Sequence, residues 1–283
     1  MIMRYTYLLL ILLILNVRTG AQPGFLRSSL EEAREVQTEL SSEKTHYKPL
    51  FGKDVNGSDI VKGVKRYGYL SIDSGGSTGI VRYDEEQIFF VLEGTGTVYY
   101  GKEEIPVSKN DFIYFPVGMK HGISNPREKA LNVIIMGYEL QPESAVKPSG
   151  KMMIANTDEV SFQVLGGHGP TTQFQLLLGT TESTRDRLAA ASQVTSLFIM
   201  DFDAGGTNIP HQHKDAEEIY LVLRGTGEMV AGKTPEGKEM RHPVKPGDAF
   251  FFPPNTLIGF YSGTREGEEH ARILAVRSTY PIR

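Results

Sequence analysis

Gln87-Ile88-Phe89-Phe90-Val91-Leu92-Glu93-Gly94-Thr95-Gly96 recurs later in the chain as Glu218-Ile219-Tyr220-Leu221-Val222-Leu223-Arg224-Gly225-Thr226-Gly227, an offset of 131 from Gly94 to Gly225. Gly101-Lys102 and Gly232-Lys233 keep that offset. Further on, Ile105 to Asp111 aligns with His242 to Asp248, and Phe115-Pro116 with Phe252-Pro253, now at an offset of 137 from Pro116 to Pro253. Six residues have therefore been inserted, and Thr234 to Glu239 (TPEGKE) reads as a longer hairpin tip in the second copy. A repeat of this length is a whole domain rather than a solenoid unit. Within each copy, short runs of Val, Ile, Phe and Tyr are broken by Gly, Pro, Asn or Asp, the texture of β-strands. The runs are Gln87 to Glu93, Thr97 to Tyr100 and Phe112 to Phe115, then Ser196 to Asp201, Ile219 to Leu223 and Ala249 to Phe252. The expected fold is all-β, two tandem copies of one domain joined near Gln141 to Gly150.

Composition is that of an ordinary globular protein: 283 residues, 40% hydrophobic and 23% charged, with 30 Gly and 15 Pro. Lys+Arg 30 against Asp+Glu 34 leaves a net charge of -4, so there is no basic excess to draw in a nucleic acid. The absence of cysteine excludes disulfides, thiolate nucleophiles and Cys-ligated zinc or iron-sulfur clusters. Any metal must sit on His, Asp, Glu or water.

The N-terminus reads as an export signal over residues 1–21, with Arg4 as the positive n-region, Leu8 to Leu15 as the apolar run and Thr19-Gly20-Ala21 as a small-residue cleavage site. The apolar run is far shorter than the roughly 20 residues a spanning helix needs, so the mature protein is expected to be secreted or periplasmic, free of the membrane. Asn56-Gly57-Ser58 is a glycosylation sequon only in a eukaryotic host. Residues 22–68 form an N-terminal arm in which Ser28 to Glu43 (SSLEEAREVQTELSSE) predicts one short helix, capped by Ser28 or Ser29 with Glu31 and Glu32 in its first turn.

The chemistry concentrates in the second copy. His211 and His213 are two residues apart, so on a strand both side chains leave one face. Lys214 to Glu217 is a polar connection that a hairpin would use to return Glu218 against the two imidazoles. Two neutral imidazoles and a carboxylate suit non-haem iron(II), and also Mn, Ni, Co or Zn.

The spacing of these residues resembles the cupin superfamily. Gly205, five residues, His211-Gln212-His213, four residues, Glu218, six residues and Gly225 match its first signature at every fixed position. The second signature, Gly, five residues, Pro-x-Gly, two residues, His, three residues, Asn, is matched in the first copy by Pro116, Gly118, His121 and Asn125, with Asn110 at the leading Gly. In the second copy Gly247 and Pro253 match it, but Asn255 replaces the inner Gly and Ile258 replaces the His. The resemblance implies two tandem jelly-roll barrels, a bicupin with a first barrel at 69–150 and a second at 151–283. It also implies that His211, His213 and Glu218 hold one divalent metal (Fe, Mn, Ni or Zn), with the fourth ligand missing at Ile258. Three protein ligands plus water is a usual catalytic arrangement.

Subtracting 131 places Ile80, Arg82 and Gln87 at the metal positions of the first copy, beside His121. An arginine there repels a divalent ion, so the first barrel is expected to be metal-free. Arg82, Gln87 and His121 could instead converge on a small anion, since a guanidinium fork suits carboxylates; alternatively Arg82 pairs with Asp84 or Glu85 in a purely structural half. His242, His270 and Glu217 fall outside the ligand positions and are expected to be solvated. The aromatic runs are expected chiefly to fill the barrels.

Two classes of function follow from the resemblance. One is a metal-dependent enzyme of oxidoreductase, lyase or hydrolase type acting on a small oxygen-rich molecule, as in bicupin dioxygenases, oxalate decarboxylases and ureidoglycine aminohydrolase. The alternative is a non-catalytic ligand-binding or storage protein, as in seed-storage bicupins. A small-molecule ligand and a homo-oligomer are compatible with both.

Overall fold

The computed structural model describes residues 24–53, 55, 58–140, 153–263 and 270–280. The signal sequence, the sequon at Asn56 and the link at 141–150 lie outside the described residues. An arm strand, β1 (Leu26–Ser29), precedes a first set, β2 (Thr45–Gly52), β3 (Val64–Ile72), β4 (Glu85–Glu93), β5 (Thr95–Tyr100), β6 (Glu103–Ser108), β7 (Asp111–Phe115), β8 (His121–Ser124) and β9 (Leu131–Glu139). A second arm strand, β10 (Met153–Asn156), leads to β11 (Thr172–Thr180), β12 (Leu188–Ala191), β13 (Val194–Phe202), β14 (Thr207–His211) and β15 (Ala216–Arg224). The chain then runs through β16 (Gly227–Lys233), β17 (Glu239–Val244), β18 (Asp248–Phe252), β19 (Ile258–Ser262) and β20 (Arg272–Thr279).

These strands make two jelly-roll barrels, each of a large and a small sheet. The first combines the order β10-β7-β4-β9-β3-β2 with β6-β5-β8, and the second combines β1-β18-β15-β20-β13-β11-β12 with β14-β19-β16-β17. The first barrel thus begins with β2 at Thr45, inside the segment read as an arm. Each arm strand lies on the barrel that it does not precede: β1 pairs with β18, Leu26 opposite Phe251, and β10 pairs with β7, Met153 opposite Tyr114.

The repeated motif is apolar without alternation because its strand is buried on both faces. In β4, Phe89 and Val91 point into the first barrel while Ile88 and Phe90 point to the core between barrels. In β15, Tyr220 and Val222 point into the second barrel and Ile219 and Leu221 join the same shared core. That shared core also takes Phe51, Tyr67 and Met136 from the first barrel and Leu177, Leu197 and Phe251 from the second. The aromatic runs therefore fill cores, as the alternation of barrel strands requires.

The two positions where Asn stands in place of a motif glycine explain themselves. Asn110 and Asn255, with φ of 71° and 64°, are the non-glycine residues with positive φ among the described residues, and their counterparts Gly247 and Gly118 have φ of 90° and 75°. Asn tolerates the left-handed region better than other side chains do, so the turn survives the exchange. The insertion forms the tip joining β16 to β17, where Thr234 donates its N–H to the Lys238 carbonyl at 2.8 Å.

The helix expected at Ser28 to Glu43 does not form. Ser29 does cap one turn, its Oγ accepting the Glu32 N–H at 3.1 Å and its carbonyl accepting the Ala33 N–H at 2.9 Å. Beyond it the chain extends, Val36 bridging to Tyr47, and Leu40 is buried in the first barrel. An isolated helix of this length is marginal in water, and pairing with a barrel while burying Leu26, Leu30 and Leu40 outweighs it. Glu217 also departs from expectation: it is buried, and its carboxylate accepts the backbone N–H of Lys62 at 2.5 Å and of Gly63 at 2.8 Å.

Candidate metal centre

His211 ends β14 in the small sheet of the second barrel, and His213 follows it in the crossing to the large sheet. Glu218 lies in β15, opposite Phe252 on one side and Arg277 of β20 on the other. β14 and β15 belong to different sheets, so the connection carrying Lys214 is a crossing between walls and not the hairpin expected from its polarity. The turn at Asn255 steadies it: Asn255 donates its N–H to the His213 carbonyl at 2.7 Å, and Gln212 Nε2 donates to the Asn255 carbonyl at 2.5 Å.

The three side chains converge. One ligand atom from each lies within 4.8 Å of the others. His211 Nε2 stands 3.1 Å from His213 Nε2, which stands 3.1 Å from Glu218 Oε2. His211 Nδ1 lies 2.9 Å from the Ile209 carbonyl, a contact only an N–H can make, so its Nε2 carries the lone pair. Burial pushes the His211 imidazole below its ordinary pKa, favouring the neutral, ligating form. Glu218 is 2% exposed, and among the described residues its Oε2 accepts no hydrogen bond from outside the three-residue cluster. Two imidazole nitrogens and a buried carboxylate oxygen facing one point are the donor set a divalent ion would satisfy, so the residues fit a metal.

Ile258 is in β19, paired with His211 in β14. It stands beside that histidine and not across the barrel, and its side chain is buried with Phe252 and Phe260. A cavity of about 150 Å³ opens on the cluster, with Leu165, Phe174, Leu176 and Phe198 on its apolar side and His168, Arg185 and Arg277 among its polar groups. Sequence reasoning missed His168. It stands on the Gly166-Gly167-His168-Gly169 loop, its Nδ1 is 2.8 Å from Asn208 Oδ1, and its ring meets His211 edge to face at 5.0 Å. The glycines flanking it were the available signal.

The equivalent place in the first barrel is closed. Gln87 and His121 meet there, the amide 2.8 Å from Nε2, while His121 Nδ1 lies 2.9 Å from the Met119 carbonyl. Burial pulls the His121 imidazole down to about 4. Arg82 is exposed, lies over Gly118 and makes no ion pair among the described residues. Pairing with Asp84 or Glu85 does not occur because both acids are taken: Lys65 holds Asp84 at 3.0 Å, and Arg66 Nε holds buried Glu85 at 2.6 Å. Arg66 also donates to Glu39 of the arm at 2.9 Å and lies over the Tyr83 ring. Of the remaining histidines, His270 is exposed, whereas His242 is half-buried against the Phe25 ring at 4.9 Å and so is not the surface residue expected.

A family model for the cupin domain matches residues 68–137 and again 198–277. The chain belongs to the cupin family. This cupin is similar in fold to a putative glyoxylate-induced protein of Pseudomonas aeruginosa, with a TM-score of 0.69 and 13% identity over 88% of this chain and 86% of that one. It is also similar to the Lactobacillus farciminis oxalate decarboxylase formate complex (TM-score 0.66, 12% identity, 91% and 86% covered) and to hazelnut (Corylus avellana) vicilin (0.62, 12%, 90% and 87%). In sequence it is 33% identical over 82 residues to the uncharacterized protein MJ1618 of Methanocaldococcus jannaschii, covering 28% of this chain and 66% of that protein, just under two thirds of its length. Among the described residues no helix is long and apolar enough to cross a membrane.

Proposed function

We propose that this cupin is an exported metal-dependent enzyme of dioxygenase, decarboxylase or hydrolase type, holding one divalent ion in its second barrel and acting on a small oxygen-rich molecule. The observation that carries the reading is the buried Glu218 Oε2, which among the described residues takes no hydrogen bond from outside the cluster, set against the nitrogens of His211 and His213. His211 is held in the ligating tautomer by the Ile209 carbonyl, and Glu218 supplies the negative charge. The apolar side of the cavity keeps water from the open face. A divalent metal bound there supplies a Lewis-acid centre with positions free for substrate. The first barrel, whose polar groups satisfy one another, is the metal-free partner. The signal at 1–21 directs the protein out of the cytoplasm.

A second reading, a ligand-binding protein that has lost its chemistry, draws support from the apolar Ile258 at the fourth ligand position. Reconstitution with Fe, Mn, Ni or Zn, dialysis and elemental analysis separate the two. One ion per chain is expected. None would remove the enzyme in favour of the binding protein, and two would reopen the first barrel.

A further inference from the structure

Each barrel brings a guanidinium to the neighbourhood of one equivalent station, Arg66 from β3 in the first and Arg277 from β20 in the second, and treats it in the opposite way. Gln87 and Glu218 are equivalent by the 131-residue offset, and in register they face Gly137 and Arg277 respectively. In the first barrel Gly137 leaves room for the Arg66 and Glu85 side chains, which lie against it. That arginine is neutralised by two carboxylates of the chain itself, Glu85 at 2.6 Å and Glu39 at 2.9 Å. In the second barrel Arg277 rises from β20 into the cavity and has no carboxylate partner among the described residues. Its contacts are long: Thr195 Oγ1 at 3.4 Å and His213 Nε2 at 3.4 Å. Arg185, with 52% of its side chain exposed, lines the same cavity.

A half-buried guanidinium presents planar paired donors that are best met by a carboxylate. Where the first barrel provides that carboxylate from its own chain, the second leaves the place open beside the candidate metal centre. A metal that takes the His213 lone pair also takes the acceptor to which Arg277 reaches, which leaves the fork for a ligand. The cavity, at about 150 Å³, is well below the roughly 300–1,000 Å³ of sites for drug-sized ligands. It admits only a few heavy atoms.

We propose that Arg277 is the anion-binding residue of this site and that its ligand is a short-chain carboxylate, received on the guanidinium next to His213 and Glu218. The inference rests on the reading of His211, His213 and Glu218 as a metal centre, and names the substrate class for it.

The test uses glycolate and its uncharged isostere glycolamide, titrated calorimetrically into the metal-free and Co(II)-loaded full-length mature protein, with the visible Co(II) spectrum as a second readout. Glycolate should bind the loaded protein at least about tenfold more tightly than glycolamide, the scale of one charge-assisted hydrogen-bonded pair. It should also perturb the cobalt bands. Arg277→Gln should abolish that preference while Co(II) affinity, measured by chelator competition, is retained; Arg277→Lys, which keeps the charge and loses the fork, should restore it in part. Equal binding of the two probes by the wild type, or an undiminished preference in Arg277→Gln, overturns the proposal. Should Co(II) not bind the wild type at all, the metal centre falls separately, and the same comparison in the metal-free protein still decides whether Arg277 receives a carboxylate.

Discussion

Glu86 and Glu217, equivalent by the 131-residue offset, make the same contact in opposite directions across the boundary between barrels. Glu86, on the first barrel, accepts the backbone N–H groups of Ser192, Gln193 and Val194 at 2.7–2.8 Å and the Tyr114 hydroxyl at 3.0 Å. Glu217, on the second, accepts those of Lys62 and Gly63. With the exchanged arms β1 and β10 and the shared apolar core, this gives the two barrels the pseudo-two-fold relation of a fused dimer.

Removing either carboxylate should therefore weaken the whole molecule. Glu86→Ala leaves the buried N–H groups of Gln193 and Val194, and the half-buried one of Ser192, without an acceptor; at about 1–3 kcal/mol for each buried group, a loss of at least about 2 kcal/mol is expected in urea unfolding. Glu217→Ala should act similarly. Calorimetry of the metal-free wild type should show one cooperative transition, because the shared core cannot be exposed from one side alone. Two separate transitions would mean that the barrels are independent.

His213→Ala and Glu218→Gln should each weaken metal binding by about 100-fold or more, since each removes a ligand of a three-ligand set. The far-ultraviolet circular dichroism should stay native, because the cluster adds little to the apolar core. Retained affinity in both variants, measured by chelator competition, would place the metal elsewhere.

Ile258→His adds an imidazole on the strand beside His211, where cross-strand partners share a face. Metal affinity should rise about tenfold or more by the same competition. A fall in thermal stability should accompany it, because the isoleucine is 2% exposed in the second core. Unchanged affinity would show that the new side chain cannot reach the ion.

His121 makes stability depend on pH. Its folded pKa, about 4, lies below the ordinary 6.5, so between these values the unfolded chain binds more protons and stability falls as pH falls. The contribution is complete above pH 6.5 and is lost by pH 4, amounting to up to about 3 kcal/mol at 1.36 kcal/mol per unit. In urea unfolding between pH 7 and 4, His121→Gln should lose correspondingly less stability than the wild type on acidification. Parallel pH profiles would refute the assignment.

Much of the candidate site was legible because its parts are local. His211, His213 and Glu218 lie within eight residues, and the motif glycines around them mark turns that need left-handed backbone. Arg277 and His168 were not legible, since they reach the same cavity from β20 and from the loop before β11, 59 and 43 residues away from Glu218 and His211. Glu217 looked like a solvated acid because nothing adjacent to it in sequence reveals that backbone N–H groups at 62–63 await it.

The sequence by itself determined that this is a twofold repeat of one all-β domain, that the strands at Gln87 and Glu218 are the hearts of the copies, and that only the second carries a metal-ligand pattern. Those conclusions depend on periodicity and on turn chemistry, which operate within a few residues. Only the tertiary structure decided that Ser28 to Glu43 pairs and extends instead of coiling, that the arms cross to the opposite barrels, and that one guanidinium is neutralised by its own chain while the other faces an open cavity. These outcomes depend on competition between distant partners for the same backbone edge, apolar surface or charge, and burial settles that competition only once the barrels have closed.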